Sequence, residues 1–234
     1  MKLVSFIAEG RALFGAMSRD GVVTLNDRIG YATLCDALAA GALDEMRRVV
    51  SNEKPDRKLA DISFLPVIPR PKKILCAGIN YRSHAAETGR ELPKQPSMFI
   101  RLADTLLGHE GEMIRPTVSH EFDFEGELAV VIGRPARHVA VERALDHVAG
   151  YTCFVDGSVR DYQKFSVTSG KNFPATGPIG PWIVTTDNIP DPSRLILVTR
   201  LNGVEVQRSP THLMICSIPQ IIAFCSDFTA LSPR

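Results

Sequence analysis

The stretch HEFDFEGELAVVIG, residues 120–133, holds the most suggestive chemistry of the chain. Read as one long strand, it alternates its side chains between two faces. Asp123, Glu125, Glu127, Ala129 and Val131 then share one face, and Phe122, Phe124, Leu128, Val130 and Ile132 the other. A half-exposed strand with its acids in water satisfies this pattern. So does a second arrangement, because the acidic face turns apolar from Ala129 onward. A carboxylate entering such surroundings costs on the order of several kcal/mol unless it is paired or bound to metal. Two carboxylates about 7 Å apart along one strand converge on a single hard cation. Oxygen-only donors select Mg²⁺, Mn²⁺ or Ca²⁺ over zinc. A third acid is then needed from elsewhere. Asp156 in CFVDGSVRDYQ, at the end of an apolar strand, is the candidate, although Asp-Gly also reads as a simple turn.

Other chemistry-bearing residues are sparser. In GINYRSHAAETG, His84 and Glu87 stand three apart, so one helical turn brings them within hydrogen-bond reach. A carboxylate there fixes the imidazole tautomer and raises its basicity, which suits a general base; a solvated helix face fits the same spacing. Lys171 lies in SGKNFPATGPIGPW. It is not part of a phosphate-binding loop, which needs Gly at 165 and Ser or Thr at 172, where this chain has Phe165 and Asn172. An exposed loop charge is the plain reading of such a lysine. The remaining histidines, His109, His120, His138, His147 and His212, show no ligand spacing.

Several elements must position these groups. Residues 1–65 read as a small separate unit, with strands in MKLVSFI and GVVTL around a loop at 18–21. A helical pattern follows over 31–50, with Leu34, Leu38, Leu43 and Met46 roughly on one face and an interruption at Gly41. Pro66, Pro69 and Pro71 make LPVIPRPKK a stiff connection, which places a boundary at 65/66. Beyond it, strands are expected in ILCAGIN, SMFIR, EMIRP, residues 120–133, YTCFVDGSV, GPWIVTT and LILVTRLNGVEV, the last with a hairpin turn at Asn202-Gly203. Helical segments are expected in RSHAAETG, VERALDHVAG and SIPQIIAFCSDFT. Repeats and low-complexity tracts do not occur.

Bulk properties narrow the function classes. A net charge of +1, with 23% charged residues, carries neither a nucleic-acid footprint nor an acidic tail. No apolar run approaches the roughly 18 residues that span a membrane, and the N-terminus lacks a signal-peptide core. The five cysteines are widely spaced and form no CxxC, which reads as a reduced, cytoplasmic chain with buried thiols.

Taken together and in order, GINYRSHAAETG, PSMFIRLADTLLG, FDFEGELAVVIG, VDGSVRDYQ, GKNF…GPIGPWIV and LNGVEVQ resemble the fumarylacetoacetate hydrolase family, over residues 74–232. The early HxxE is similar to the smaller acylpyruvate-hydrolase, decarboxylase and 2-hydroxyhepta-2,4-diene-1,7-dioate isomerase types. The resemblance implies an α+β fold that is mostly β: a mixed β-sandwich roll with short helices over 66–234, plus a small N-terminal domain over 1–65. It implies that Glu125, Glu127 and Asp156 bind a divalent metal, Mg²⁺ or alternatively Mn²⁺ or Ca²⁺. His84 and Glu87 match a catalytic dyad, Lys171 a catalytic lysine beside the metal, and Gln163 and Arg101 substrate contacts. The implied activity is metal-dependent hydrolysis of a C–C bond in an acylpyruvate-like 2,4-dioxo acid, through a stabilised enolate. Isomerase, decarboxylase and lyase chemistry on related acids uses the same enolate and stays open. The implied setting is a cytoplasmic homodimer acting on a small 2-oxo acid in aromatic compound catabolism.

Family members continue beyond FTALSPR with a segment resembling L-x-P-G-D-x-I-x-T-G-T-P-x-G-V-G, which supplies a Gly-Thr pair near the substrate carboxylate. The resemblance therefore implies a chain shorter than its family, with strand edges left open at that point. A non-catalytic remnant that binds metal or a partner subunit is the alternative to an active enzyme.

Overall fold

The computed structural model describes residues 1–82 and 93–233. The chain opens as a hairpin of β1 (Lys2–Ala8) and β2 (Arg11–Met17), continued by β3 (Val22–Thr24). The β1–β2 turn lies at Glu9-Gly10, both at positive φ, and the loop expected at 18–21 joins β2 to β3, closed by Ser18 N–H to Gly21 O at 2.8 Å. Three helices follow: α1 (Asn26–Ile29), α2 (Leu34–Ala39) and α3 (Leu43–Asn52). The helical pattern over 31–50 thus divides at Gly41, which takes the left-handed conformation at φ 73°. Strand β4 (Ser63–Phe64) closes this part.

Eight strands form the central sheet, in the order β3-β2-β1-β12-β10-β9, where β9 is Gly126–Ile132, β10 Val148–Val155 and β12 Gly177–Thr185. β4 pairs with β1, and the short β7 (Leu106–Leu107) runs parallel to β12. β1 joins β12 through Lys2↔Val184 and Leu3↔Ile183, so the N-terminal strands extend the same sheet as the rest of the chain. One core cluster spans both parts, with Leu3, Phe14, Leu34, Leu38 and Met46 beside Val67, Ala149 and Ile183. Ser5 Oγ donates to Val67 O at 2.8 Å, tying the Pro-rich connection down.

Three strand pairs complete the fold: β5 (Ile74–Gly78) with β6 (Ser97–Arg101), β8 (Phe122–Asp123) with β11 (Ser158–Val159), and β13 (Ile196–Leu201) with β14 (Val204–Pro210). The β13–β14 turn is Asn202-Gly203, both at positive φ, as the sequence predicts. Short helices α4 (Arg160–Gln163) and α5 (Val167–Lys171) follow β11. The last helix, α6 (Ile218–Phe228), starts at a capping box in which Ser217 and Gln220 satisfy each other's backbone N–H groups. Its Ile218, Ile222 and Cys225 pack with Tyr151 of β10 in a second core cluster. The architecture is mixed α+β, dominated by strands.

Local expectations fail in three places. EMIRP forms no strand: Ile114 N–H reaches Ala175 O, and Pro116 has no N–H to continue a ladder. VERALDHVAG is not one helix, because the 3-10 turns of Val141–His147 stop where Val148 pairs with Ile132. Among the cysteines, Cys153 is exposed, contrary to the buried thiols expected, although none of the five is in a disulfide. Among the described residues no helix is long and apolar enough to cross a membrane.

Candidate metal centre

The strand expected over 120–133 is broken, and the break makes the site. β8 ends at Asp123 and β9 begins at Gly126, leaving Phe124 and Glu125 outside regular pairing. The facing chain breaks at the same level: β10 ends at Val155 and β11 begins at Ser158, leaving Asp156 and Gly157. One bond bridges the gap, from Asp156 N–H to Glu125 O at 2.8 Å. Two carboxylates therefore lie side by side where both backbones leave the pleat. Gly157 is required here, since a Cβ would stand 2.2 Å from Thr176 O, to which Gly157 N–H donates.

Cations surround the acids. Lys171, at the end of α5 and only 3% exposed, sends its ammonium to Glu125 Oε2 and Asp156 Oδ2, both at 2.6 Å, and to Ser158 Oγ at 2.7 Å. All three of its N–H donors are used. Arg160 of α4 bonds Asp123 Oδ2 through Nε and Nη2, and Glu125 Oε1 at 2.9 Å. Arg101, at the end of β6 and 2% exposed, pairs with Asp156 Oδ1 and also donates to Gly157 O at 3.0 Å and Thr176 Oγ1 at 2.8 Å. Its guanidinium lies 5.4 Å from the centre of the Phe154 ring.

Glu127 is the exception. Among the described residues no hydrogen bond or ion pair reaches its carboxylate. Burial, then the like charges of Glu125 and Asp156, push it up to about 8. Burial also pushes Glu125 up, but Lys171 and then Arg160 outweigh it and hold Glu125 below the ordinary carboxylate range. A third acid thus sits beside two others, and the Lys171 charge offsets their repulsion only in part. Its apolar surroundings favour its ionised form only if a further cation arrives. The donor set is all oxygen, which fits a hard divalent ion. As the side chains stand, among the described residues no three acids, histidines or cysteines close on one point, and the Lys171 ammonium lies between Glu125 and Asp156.

Glu125, Glu127, Asp156 and Arg160 line a cavity of about 800 Å³ together with Cys76 and Tyr81. Burial, and next the charge of Asp156, push the Cys76 thiol up to about 12, so it stays protonated and is no nucleophile. The sequence-predicted residues separate accordingly. Glu125, Glu127, Asp156 and Lys171 come together, and Lys171 is buried instead of exposed on a loop. Arg101 lies beneath Asp156 and does not line the cavity; its Nη1 and Nη2 meet protein acceptors, while its buried Nε has no partner among the described residues. The Gln163 amide oxygen accepts from Arg160 Nη1 at 3.0 Å. His84 and Glu87 lie outside the described residues. Sequence reasoning missed Arg160 and Ser158 as site residues. Their signal is the segment SVRDYQ itself, where a cation follows Asp156 by four positions.

The fumarylacetoacetate (FAA) hydrolase C-terminal family matches residues 73–234. The mitochondrial oxaloacetate tautomerase of Homo sapiens is 35% identical over 221 residues, covering 91% of this chain and 70% of that protein. Maleylpyruvate hydrolase from Sphingobium sp. SYK-6, also solved with manganese(II) and pyruvate, superposes with a TM-score of 0.85 at 26% identity, over 100% of this chain and 86% of that one. The 2-hydroxyhepta-2,4-diene-1,7-dioate isomerase of Mycobacterium marinum gives a TM-score of 0.75 at 28% identity, over 100% and 84%. Sequence and fold coincide with one enzyme family, and the chain belongs to the fumarylacetoacetate hydrolase family.

Proposed function

We propose that this chain is a divalent-metal-dependent enzyme that forms and stabilises the enolate of a small 2-oxo acid, and that its reaction is keto–enol tautomerisation of an oxaloacetate-like dicarboxylate. One observation carries the reading: three carboxylates share one cavity wall, and among the described residues Glu127 alone of the three has no ion pair. Glu125, Glu127 and Asp156 would hold the ion. A hard divalent cation bound there would supply Lewis acidity and a template for the carboxylate and keto oxygens of a 2-oxo acid.

The chain's own residues do the rest. Arg160 at the cavity wall is held by Asp123, Glu125 and Gln163, and its positive charge favours an incoming substrate carboxylate. The Lys171 ammonium, held by three acceptors, places positive charge where negative charge develops on the keto oxygen as the adjacent carbon loses its proton. The apolar wall formed by Leu128, Val130 and Ile132 limits competing water. Tautomerisation needs only that proton moved from carbon to oxygen. The tautomerase named above, at 35% identity, supports this choice.

A second reading is hydrolysis of a C–C bond in an acylpyruvate. His84 and Glu87 at their three-residue spacing favour it, as does the likeness to a maleylpyruvate hydrolase. In that case the His84 imidazole, oriented by Glu87, takes a proton from water, and the hydroxide adds to the distal carbonyl. Proton NMR of oxaloacetate and of acetylpyruvate, each with and without Mg²⁺, separates the readings. Accelerated enol–keto exchange of oxaloacetate, lost in Glu125→Gln, is the expected result. Acetate and pyruvate from acetylpyruvate, with no change in exchange, would replace the first reading by the second. No metal-dependent turnover of either acid would refute both.

A further inference from the structure

The side-chain amide of Gln207, in β14, is spent on a single glycine. Gln207 Oε1 accepts from Gly126 N–H at 2.8 Å, and Gln207 Nε2 donates to Gly126 O at 2.8 Å. Thr199 of β13 orients the amide, its hydroxyl donating to Oε1 at 3.0 Å. Thr199 and Gln207 are register partners, so the β13–β14 hairpin delivers both at once. Among the described residues β9 is the last strand of its sheet, and its far edge has no strand partner. On that edge the Gln207 amide takes the place of one residue of a neighbouring strand, with one donor and one acceptor at β-ladder distances. Gly126 stands between Glu125 and Glu127. A Cβ there would meet Thr199 Oγ1 at 1.9 Å, so the hairpin sits against the residue that separates the two acids.

We infer that Gln207 is a positioning residue for the carboxylate centre: its two bonds to Gly126 fix the backbone between Glu125 and Glu127 and so set the spacing of their carboxylates. The inference rests on the metal-binding reading of that centre. On the opposite edge, Asp156 N–H holds Glu125 O, and Phe154 is the register partner of Glu127. The acidic segment is therefore gripped from both edges, by the sheet on one side and by a single side chain on the other. Without Gln207, both polar groups of Gly126 lose their partner at a buried position. The segment is then free to relax just where two ligands must converge. Residues that orient ligands typically change metal affinity by about 10–100-fold when removed.

Titration of Mn²⁺ followed by electron paramagnetic resonance tests this on the full chain, with apo melting temperatures measured alongside. Gln207→Leu should weaken Mn²⁺ binding by at least about tenfold and broaden the spectrum of the bound ion. Glu205→Ala, which removes the hairpin ion pairs to Arg200 and Arg208 and leaves Thr199, Gln207 and both Gly126 bonds in place, should stay within about twofold of the parent. If Gln207→Leu does not fold, Gln207→Glu serves: it keeps the acceptor for Gly126 N–H, loses the donor to Gly126 O, and should fall between the two. Parent-like affinity in Gln207→Leu or Gln207→Glu would overturn the inference alone. So would equal weakening in Glu205→Ala, since the loss would then follow hairpin stability. A parent chain that binds no Mn²⁺ would refute the metal-binding reading itself, and this inference with it.

Discussion

Replacing Lys171 by Met removes a buried ammonium and leaves its shape nearly filled. In the parent, Lys171 joins Glu125 and Asp156 at 2.6 Å each, with side-chain exposures of 3%, 22% and 5% for the three residues. Breaking a buried pair by removing one partner costs about 3–5 kcal/mol, because an uncompensated charge stays behind. Arg160 still pairs with Glu125, and Arg101 with Asp156, which places the loss at the low end, about 3 kcal/mol. In a chain of this size that lowers the melting temperature by about 6–12 °C. The same substitution leaves Glu125, Glu127 and Asp156 with one cation fewer. Mg²⁺ at 100 times its dissociation constant stabilises a folded protein by about 2.7 kcal/mol. The Mg²⁺-induced rise in melting temperature should therefore be larger in Lys171→Met than in the parent. Calorimetry with and without Mg²⁺ provides the assay. A variant that melts within about 2 °C of the parent, with the same Mg²⁺ shift, would refute the view that this ammonium balances the acids.

Two further expectations concern other charges. Arg101→Lys replaces a planar fork that serves Asp156, Gly157 O and Thr176 by a single ammonium, and should cost about 1–3 kcal/mol by urea unfolding; unchanged stability would show that the fork is not needed. Asp56 is pushed up by burial, but the Thr24 N–H and hydroxyl together with Arg28 outweigh this and hold it below the ordinary carboxylate range. A carboxyl lowered on folding stabilises above its unfolded value, about 3.9, and loses that contribution as pH falls through its folded value. Asp56→Asn should melt below the parent at neutral pH, and the gap should close as pH falls below the unfolded value and through the lowered folded one; a gap independent of pH would contradict the assignment.

The alternation of Asp123, Glu125 and Glu127 made the acidic wall legible from sequence, and the apolar continuation from Ala129 marked it as more than a solvated face. The break at Phe124–Glu125 was not legible. It depends on Asp156 N–H and on the fit of Gly157 under Thr176, both distant in sequence. Lys171 looked like a loop charge because its burial comes from three acceptors brought by other elements. Arg101 was placed at the substrate by the family resemblance alone; its partners Asp156, Gly157 and Thr176 lie far off in sequence, so its burial was not legible. Periodicity captured α2, α3 and α6, and Asn202-Gly203 announced its hairpin. β2 escaped because ALFGAM carries little strand alternation and is fixed by its pairing with β1.

Whether Glu125, Glu127 and Asp156 bind one hard divalent cation is decided by isothermal titration of Mn²⁺ into the parent and into Glu127→Gln, which keeps the side-chain shape and removes the charge. One ion per chain is expected in the parent, with a loss of at least about tenfold in affinity in the variant. Equal affinity in both chains, or no binding by the parent, would contradict that assignment.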